Sequence, residues 1–594
     1  MREKKFSKKG MRLKKWTRRV QHQASHLFML LSYKGYLWKE QERTQRINIA
    51  SLPSEYHSPL DASDHEILAV PITQLIINVS SGKWKRTTIL HAYGKCALRA
   101  HEKTNCLTEV MIAEAHTTAS NADAQHDKGE SDSRLQPLAG VPVSLKDTVC
   151  VKGFDSCIGY SAWTGKPATH DAALASLLLD AGAIPFVKTA VPITLLSFES
   201  SSAVFRRCTN PHSPHHSPGG SSGGEAALIA LCGSRVGIGT DVAGSVRIPA
   251  HYSGVYTVKA SAGRFLKTGC VTSMPGQEGI PAVYSPMART LEDLESFWKG
   301  VFEMKPWNYD HSVLEMPWRM VDLKDVKVRF GVMWDDGVVP PSPPCRRALE
   351  EVVTSLRKAG YEVVDFDPPD PYEGLKIAAQ LLLADGLRTA TSPIRLFEPN
   401  DPGMSQALTW LRLPSILQSL YSLYVRYIRR DPIYAGLLEC VRTKSVREHY
   451  ALVAERERYR AKWFEKWRSE DLYFLLCVPN ALPAVPNGGM KKGWKACGYT
   501  FLFNLLDYTA GVLPVTRVDS SRDALSPVEL KRLKSRNAIS REAYEMYDAQ
   551  TMHGLPIGVQ VVGKRLEEER VLEGMMIVEK TLRERGVVYE LLQP

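Results

Sequence analysis

The sequence predicts an α/β protein built around a mixed β-sheet. Helical patterns that stop near a glycine are followed by short apolar runs of strand length, and this alternation recurs along the chain. With 594 residues, of which 44% are hydrophobic and 24% charged, the chain has the composition of a globular protein with a large core. The predicted helix and strand pairs are 171–181 with 184–187, 225–232 with 236–239, 347–358 with 363–366, and 566–585 after the strand 557–562.

The remaining stretches organise the chain around this alternation. Residues 1–42 form a basic N-terminal extension for which we expect disorder, and residues 43–105 form an N-terminal helical segment. The polar, small residues of 117–137 predict a surface loop. Residues 378–470, rich in Leu, Tyr and Arg, predict a helical insertion that covers the sheet.

The excess positive charge belongs to one end of the chain. Residues 1–20 contain ten Lys or Arg and one acid, so they carry nine of the twelve net positive charges. A nucleic-acid-binding protein would carry basic residues along its folded surface, together with aromatic stacking positions. We therefore expect no nucleic-acid partner.

Cysteine usage and hydropathy indicate the compartment. The eleven cysteines are odd in number and contain no CxxC pair, which favours reduced thiols over disulfides and over a zinc site. No run of 18 apolar residues occurs, so no membrane span is expected, and the early apolar run is too short for a signal peptide. The sequence thus predicts a cytoplasmic protein with no metal or other cofactor.

Three stretches contain residues that could take part in catalysis or bind a ligand. Residues 218–224 (PGGSSGG) put two serines on a glycine-rich turn before the helix that begins at Glu225. Residues 239–249 follow an apolar strand and put Ser245 after small residues whose amides can bind an oxyanion. Lys146 ends an apolar run, where a charged ammonium is costly to bury.

Together these stretches resemble the amidase-signature family. The resemblance rests on GVPVSLKD at 140–147, GGSSGGE at 219–225 and GIGTDVAGSVRIPA at 237–250, with 75 residues from Lys146 to Ser221 and 24 from Ser221 to Ser245. GYSAW at 159–163 and SMPGQEG at 273–279 are similar to fungal acetamidases. The resemblance implies a catalytic domain over 106–594 with a mixed central sheet covered by helices on both faces.

The resemblance also implies an activity and its residues. The protein would hydrolyse a small-molecule carboxylic acid amide to the acid and ammonia or an amine, through an acyl-enzyme on Ser245. Ser221 would relay the proton to a neutral Lys146. The implied substrate-binding positions are Ser221 and the rim residue Leu195, with oxyanion donors at the amides of Val242, Ala243, Gly244 and Ser245. A homodimer is a further expectation.

One position departs from the family pattern. The family motif has two glycines before the nucleophile, and here the first of them is Ala243. Alanine keeps the amide donor but restricts φ, so the loop must avoid left-handed conformations at this residue.

Other interpretations of the same residues stay open. Residues 220–224 satisfy GxSxG, the nucleophile elbow of α/β-hydrolases, but no strand precedes them. The histidines at 212, 215 and 216 lack a carboxylate or cysteine at ligand spacing, which favours a rim loop over a metal site. The alternatives for function are an enzyme acting on an amide intermediate of a secondary-metabolite pathway, a glutamine-dependent amidotransferase subunit, and a catalytically silent binding protein on the same fold.

Overall fold

A computed structural model describes residues 41–128 and 135–594. Of the predicted N-terminal extension, residues 1–40 lie outside the described residues. Residues 41–50 are helical, and Gln45 on this segment donates to the carbonyl oxygens of Leu107 and Thr108 at 2.9 and 3.0 Å.

An eleven-stranded mixed sheet runs through the chain, so the predicted α/β class is confirmed. The strand order is β1-β3-β2-β6-β8-β7-β12-β13-β11-β9-β10. The strands are β1 Leu107–Val110, β2 Pro142–Lys146, β3 Ile184–Thr189, β6 Val236–Asp241, β7 Tyr256–Lys259, β8 Val283–Ala288, β9 Arg329–Val332, β10 Glu362–Asp365, β11 Phe474–Cys477, β12 Ala510–Arg517 and β13 Pro556–Val562, with a separate hairpin of β4 Ser201–Ser202 and β5 Arg206–Arg207. Strand β2 pairs in parallel with both β3 and β6, whereas β6 pairs with β8, and β12 with β13, in antiparallel fashion.

Helices surround this sheet. Before β6 they are Ala62–Ala69, Ile72–Ser80, Arg86–Thr104, Ile112–Asp127, Ala173–Asp180 and Gly223–Ala230. Between β6 and β11 they are Arg247–Ser253, Leu291–Glu303, Pro343–Lys358, Pro371–Leu382, Arg388–Thr391, Pro402–Arg412, Ser415–Leu423, Pro432–Cys440 and Val446–Ser469, with a π-helical segment Tyr424–Ile428. After β11 they are Met490–Gly493, Gly498–Leu505, Pro527–Ser535, Ala538–Tyr544 and Glu568–Glu584.

The predicted helix and strand pairs are confirmed, and the loop predicted over 117–137 is wrong in its first half. The helix Ile112–Asp127 occupies it, with Ile112, Ala115, Ala119 and Asp123 buried. This spacing of three or four residues is that of one helix face. Within 117–127 the apolar residues are alanines among polar and charged ones, so the composition of this segment does not indicate a buried helix face. Residues 129–134, in the rest of the predicted loop, lie outside the described residues.

The helices between β10 and β11 form a cover that packs on the central core. Pro371–Leu382 packs against Gly498–Leu505 and Val446–Ser469, so the cover is tied to the central core through Leu375, Trp463 and Leu502. Within the described ranges, none of the helices has the length and apolar character needed to span a bilayer. All eleven cysteines are free thiols, as predicted.

Candidate active site

The site begins at the carboxyl ends of two adjacent parallel strands. Lys146 is the last residue of β2, and Thr240 and Asp241 end β6. The register Leu145↔Ile238 brings these ends to one edge of the sheet. The carboxyl ends of parallel strands in an open α/β sheet are a common place for ligand sites.

Lys146 is fully buried among hydroxyl groups. Its Nζ lies 2.8 Å from Ser221 Oγ, 2.9 Å from Ser222 Oγ and 2.5 Å from Thr240 Oγ1. Burial lowers the pKa of Lys146 to about 7, against the opposing effects of the Asp241 and Glu225 carboxylates. A large fraction of the side chain is therefore a neutral amine near neutral pH, which is the form that accepts a proton.

The serine loop reaches Lys146 because glycines let its backbone pass through a crowded space. Gly219 has φ of +92°, and a Cβ there would lie 2.6 Å from the Cα of Pro249. The Gly220–Ser221 peptide bond is cis. The Ser222 amide donates to the carbonyl oxygen of Ser245 at 3.1 Å, so the loops that carry Ser221 and Ser245 are joined directly.

A buried ion pair holds the loop that carries Ser245. The Arg247 guanidinium donates to both carboxylate oxygens of Asp241 at 3.0 Å, and also to Asn504 and Gln560. Burial would raise the pKa of Asp241, but the Arg247 charge and its hydrogen bonds outweigh burial and lower the pKa to about 2. Asp241 and Arg247 therefore hold the Ser245 loop in place through contacts within the protein.

The amides next to Ser245 divide into two groups. The Gly244 amide, predicted as an oxyanion donor, instead donates to Asp241 Oδ1 at 2.8 Å because the carboxylate folds back over the turn. Among the described residues we find no acceptor for the amides of Val242, Ala243 and Ser245, and these three residues line a large cavity.

The backbone of this turn explains why Ala243 is tolerated. The positive φ falls on Gly244, at +124°, and not on Ala243. A Cβ on Gly244 would also collide with the Thr500 side chain, whose hydroxyl donates to the Ala243 carbonyl oxygen at 2.7 Å. Glycine is therefore required at the second position of the motif and not at the first.

This difference between two neighbouring positions gives a testable prediction. Gly244→Ala should destabilise the protein by about 1–3 kcal/mol, because alanine is strained at this φ and has no space, and should lower kcat/KM at least about tenfold. Thermal unfolding and amide hydrolysis measure the two effects. The matched variant Ala243→Gly should keep kcat/KM within about threefold. Equal effects of the two changes would contradict this account of the turn.

The cavity beside Ser245 is large and mostly apolar. Its volume is about 1250 Å³, and Leu195, the predicted rim residue, lines it together with Ser245. The helical cover supplies most of its wall, including Leu375 and Trp410, and Phe501 lines it from the helix Gly498–Leu505. Its polar part includes Lys495 and Glu542, which form an ion pair at 2.5 Å.

The structure brings Lys146, Ser221 and Ser245 together with residues that the sequence analysis did not select. Ser222 and Thr240 contact Lys146, and Glu225 lies behind it, accepting hydrogen bonds from the hydroxyls of Ser144 and Thr189. Thr240 lies within the motif at 237–250, one residue before the end of β6, and this position is the sequence feature that could have indicated its role.

The histidine cluster upstream of the serine loop has structural contacts. His212 Nε2 lies 3.0 Å from the Ser253 carbonyl oxygen, and His216 Nδ1 lies 2.8 Å from the Ser213 hydroxyl. In the part of the chain that the structure describes, no group of three or more His, Cys, Asp or Glu side chains is arranged to hold a metal ion.

Comparisons with known proteins agree on one family. The profile of the Amidase family matches residues 88–572. The chain is 31% identical over 549 residues to an acetamidase of Aspergillus oryzae, covering 90% of this chain and 93% of the relative. It is 33% identical to fatty-acid amide hydrolase 1 of Sus scrofa, covering 88% and 87%. Among solved structures, a fatty acid amide hydrolase superposes with a TM-score of 0.79 at 26% identity, covering 92% of this chain and 94% of that one.

Proposed function

This chain belongs to the amidase-signature family and is an amide hydrolase, and from that premise we propose that it forms an acyl-enzyme on Ser245 with a substrate that has a long apolar acyl chain. The observation that carries the mechanism is the buried Lys146, whose Nζ lies 2.8 Å from Ser221 Oγ. The observation that carries the substrate class is the apolar cavity against which Ser245 lies.

In the first half-reaction Ser245 Oγ attacks the amide carbonyl carbon. Its proton passes to Ser221 Oγ as the Ser221 proton passes to neutral Lys146 Nζ, so the lysine becomes an ammonium. The carbonyl oxygen takes the negative charge, and the amides of Val242, Ala243 and Ser245 donate to it. When the C–N bond breaks, the ammonium returns the proton through Ser221 to the leaving nitrogen.

In the second half-reaction water replaces the amine. The water loses a proton along the same route, from Ser221 to Lys146, as it attacks the acyl carbon of the ester on Ser245. Collapse of the second tetrahedral intermediate breaks the ester bond and returns the proton to Ser245 Oγ. The products are the carboxylic acid and the free enzyme, and no protein group outside Lys146, Ser221 and Ser245 changes its protonation.

The shape of the cavity supports a long apolar substrate. A volume of about 1250 Å³ exceeds the range of about 300–1,000 Å³ that is usual for small-ligand pockets. Acetamide would leave most of this apolar wall in contact with water. Fatty-acid amide hydrolase 1 of Sus scrofa, one of the relatives, has a name that refers to such a substrate.

The cavity also opens at an apolar surface. Leu417, Leu420 and Tyr421 on the helix Ser415–Leu423 line the cavity and are 50, 58 and 40% exposed. Exposed apolar side chains continue along the π-helical segment that follows, with Tyr427 67% and Ile428 71% exposed. An apolar chain entering here would stay in contact with apolar side chains from the surface to Ser245.

The chain-length dependence of hydrolysis tests the substrate class. Each methylene that leaves water contributes about 0.8 kcal/mol, or about fourfold in kcat/KM when the gain is fully realised. Across a series of acyl p-nitroanilides from acetyl to dodecanoyl we expect kcat/KM to rise at least about a hundredfold. A flat series, or one that falls from acetyl onward, would exclude a long-chain substrate while leaving amide hydrolysis intact.

A variant that fills the cavity is the control for this series. Ala379 lines the cavity from the helix Pro371–Leu382. Ala379→Phe should lower kcat/KM for the dodecanoyl anilide about tenfold or more and leave the acetyl anilide within about threefold.

The cytoplasmic location and the homodimer remain proposals from the sequence, and the dimer can be tested by light scattering on the purified protein.

A further inference from the structure

Lys146 has three hydroxyl partners, and the proton relay uses one of them. Ser221, Ser222 and Thr240 all lie within 2.9 Å of its Nζ. Each is buried, with exposed fractions of 1, 0 and 8%. An ammonium has three N–H groups and can donate to all three hydroxyls. A neutral amine has two N–H groups and one lone pair, so one hydroxyl must then donate to the amine.

The hydrogen bonds of Ser222 fix its part in this arrangement. Its hydroxyl lies 3.4 Å from the Thr240 carbonyl oxygen, to which it donates, and accepts from the Thr240 amide at 3.2 Å. Because this carbonyl oxygen can take the Ser222 proton, we infer that the Ser222 hydroxyl accepts from Lys146 Nζ. One N–H of the neutral amine therefore binds Ser222. Of the two remaining hydroxyls, Ser221 and Thr240, one accepts the second N–H and the other donates to the lone pair.

We propose that Thr240 is a positioning residue that accepts the second N–H of neutral Lys146, so that the lone pair faces the Ser221 hydroxyl. The same oxygen then stabilises the ammonium that forms when the proton arrives. Thr240 acts through Lys146 and does not contact the substrate. The inference rests on the proposed function, in which Lys146 is the base.

The charged groups around Lys146 are held by other partners. Asp241 and Glu225 act on its charge, and they are bound by Arg247 and by the hydroxyls of Ser144 and Thr189. Ion pairs on the elements packed against β2 include Lys188 with Asp147 at 3.6 Å, and on the helix Arg86–Thr104 they include Lys95 with Asp64 at 2.8 Å and Arg86 with Asp123 at 3.7 Å. These carboxylates are therefore committed, and we expect none to replace Thr240 as a direct acceptor for Nζ.

The direction in which the pH dependence of kcat/KM shifts distinguishes a positioning role of Thr240 from a purely structural one. Thr240→Val keeps the shape of the side chain but leaves one N–H of the buried ammonium without an acceptor. The charged form of Lys146 is then destabilised, its pKa falls, and the rising limb of kcat/KM moves to lower pH by about one unit. The plateau above the limb should fall about tenfold, because the lone pair is no longer held toward Ser221.

Three variants and the wild type test this on one substrate, the octanoyl p-nitroanilide, between about pH 5 and pH 9. Thr240→Ser retains the hydroxyl and should restore both the limb and the plateau to within about threefold of the wild type. Thr257→Val is the matched control, because Thr257 is a buried strand threonine that donates to the Pro286 carbonyl oxygen at 2.8 Å. Thr257→Val should leave the pH of the rising limb of kcat/KM unchanged.

The outcomes separate the inference from the proposed function. A limb that stays in place or moves to higher pH in Thr240→Val overturns the role of Thr240, as does a Thr240→Ser variant as impaired as Thr240→Val. If Thr240→Val does not fold by circular dichroism, Thr240→Ala is measured against Thr240→Ser with the same criteria. If the wild-type enzyme shows no limb, or Lys146→Ala stays active, the proposed function itself fails.

Discussion

Ser245→Ala should abolish hydrolysis of every amide while leaving the fold intact. Removing the hydroxyl removes the atom that forms the acyl-enzyme, and the loss in kcat should be at least about 10³-fold. Ser245 is 3% exposed, and its carbonyl oxygen accepts from the Ser222 amide, so alanine at this position keeps the backbone contact between the loops. The measurements are turnover of an acyl anilide and the circular dichroism spectrum.

Covalent labelling identifies the nucleophile independently of turnover. A fluorophosphonate should label the wild type once, at Ser245, and should not label Ser245→Ala. The matched control is Ser176→Ala on the helix Ala173–Asp180, which should be labelled at the wild-type rate. Labelling of Ser245→Ala at Ser222 would instead support the elbow interpretation of residues 220–224, which the lack of a strand between Arg207 and Gly223 opposes.

The chemistry of the site was predictable because its residues lie in local motifs. Lys146 follows an apolar run that had to be a buried strand, and Ser221 lies on a glycine turn before a helix. Both patterns depend on neighbours within a few positions of the chain. Lys146 and Ser221 are 75 residues apart in sequence, and their contact could be predicted only from the family resemblance.

Other parts of the site depend on contacts that no local pattern encodes. The Gly244 amide is occupied because Asp241 folds back onto it, and Asp241 is fixed by Arg247 together with Asn504, which lies 263 residues away in sequence. The cavity depends equally on distant residues, since helices from the cover meet the loop of Ser245. Its large apolar volume could not be derived from the sequence, although it decides the substrate class that we propose.

Burial decides how Lys146 acts. A lysine in water has a pKa of about 10.4 and is almost fully charged at neutral pH. In this site desolvation outweighs the attraction of Asp241 and Glu225 and lowers the pKa of Lys146 to about 7. The neutral fraction rises about tenfold per pH unit below that pKa and saturates above it. We therefore expect kcat/KM to rise with pH through about 7 and to level off well below the free-lysine value.

Replacing Lys146 by arginine separates a base from a fixed positive charge. Arginine keeps the charge and much of the length but does not lose its proton in a protein. If Lys146 is the base, Lys146→Arg should be as inactive as Lys146→Ala, with a loss of at least about 10³-fold, and raising the pH should rescue neither. Measuring both variants on one anilide below and above the wild-type limb gives the comparison.

The control for this substitution is a lysine whose role is a fixed charge. Lys95 is 7% exposed and pairs with Asp64 at 2.8 Å on the N-terminal helices. Lys95→Arg preserves that pair and should keep kcat/KM within about threefold, which shows that a buried Lys→Arg change is tolerated when only charge is needed. A partly active Lys146→Arg enzyme would contradict the relay through Ser221, because a permanent cation can stabilise an oxyanion but cannot accept the proton of Ser245.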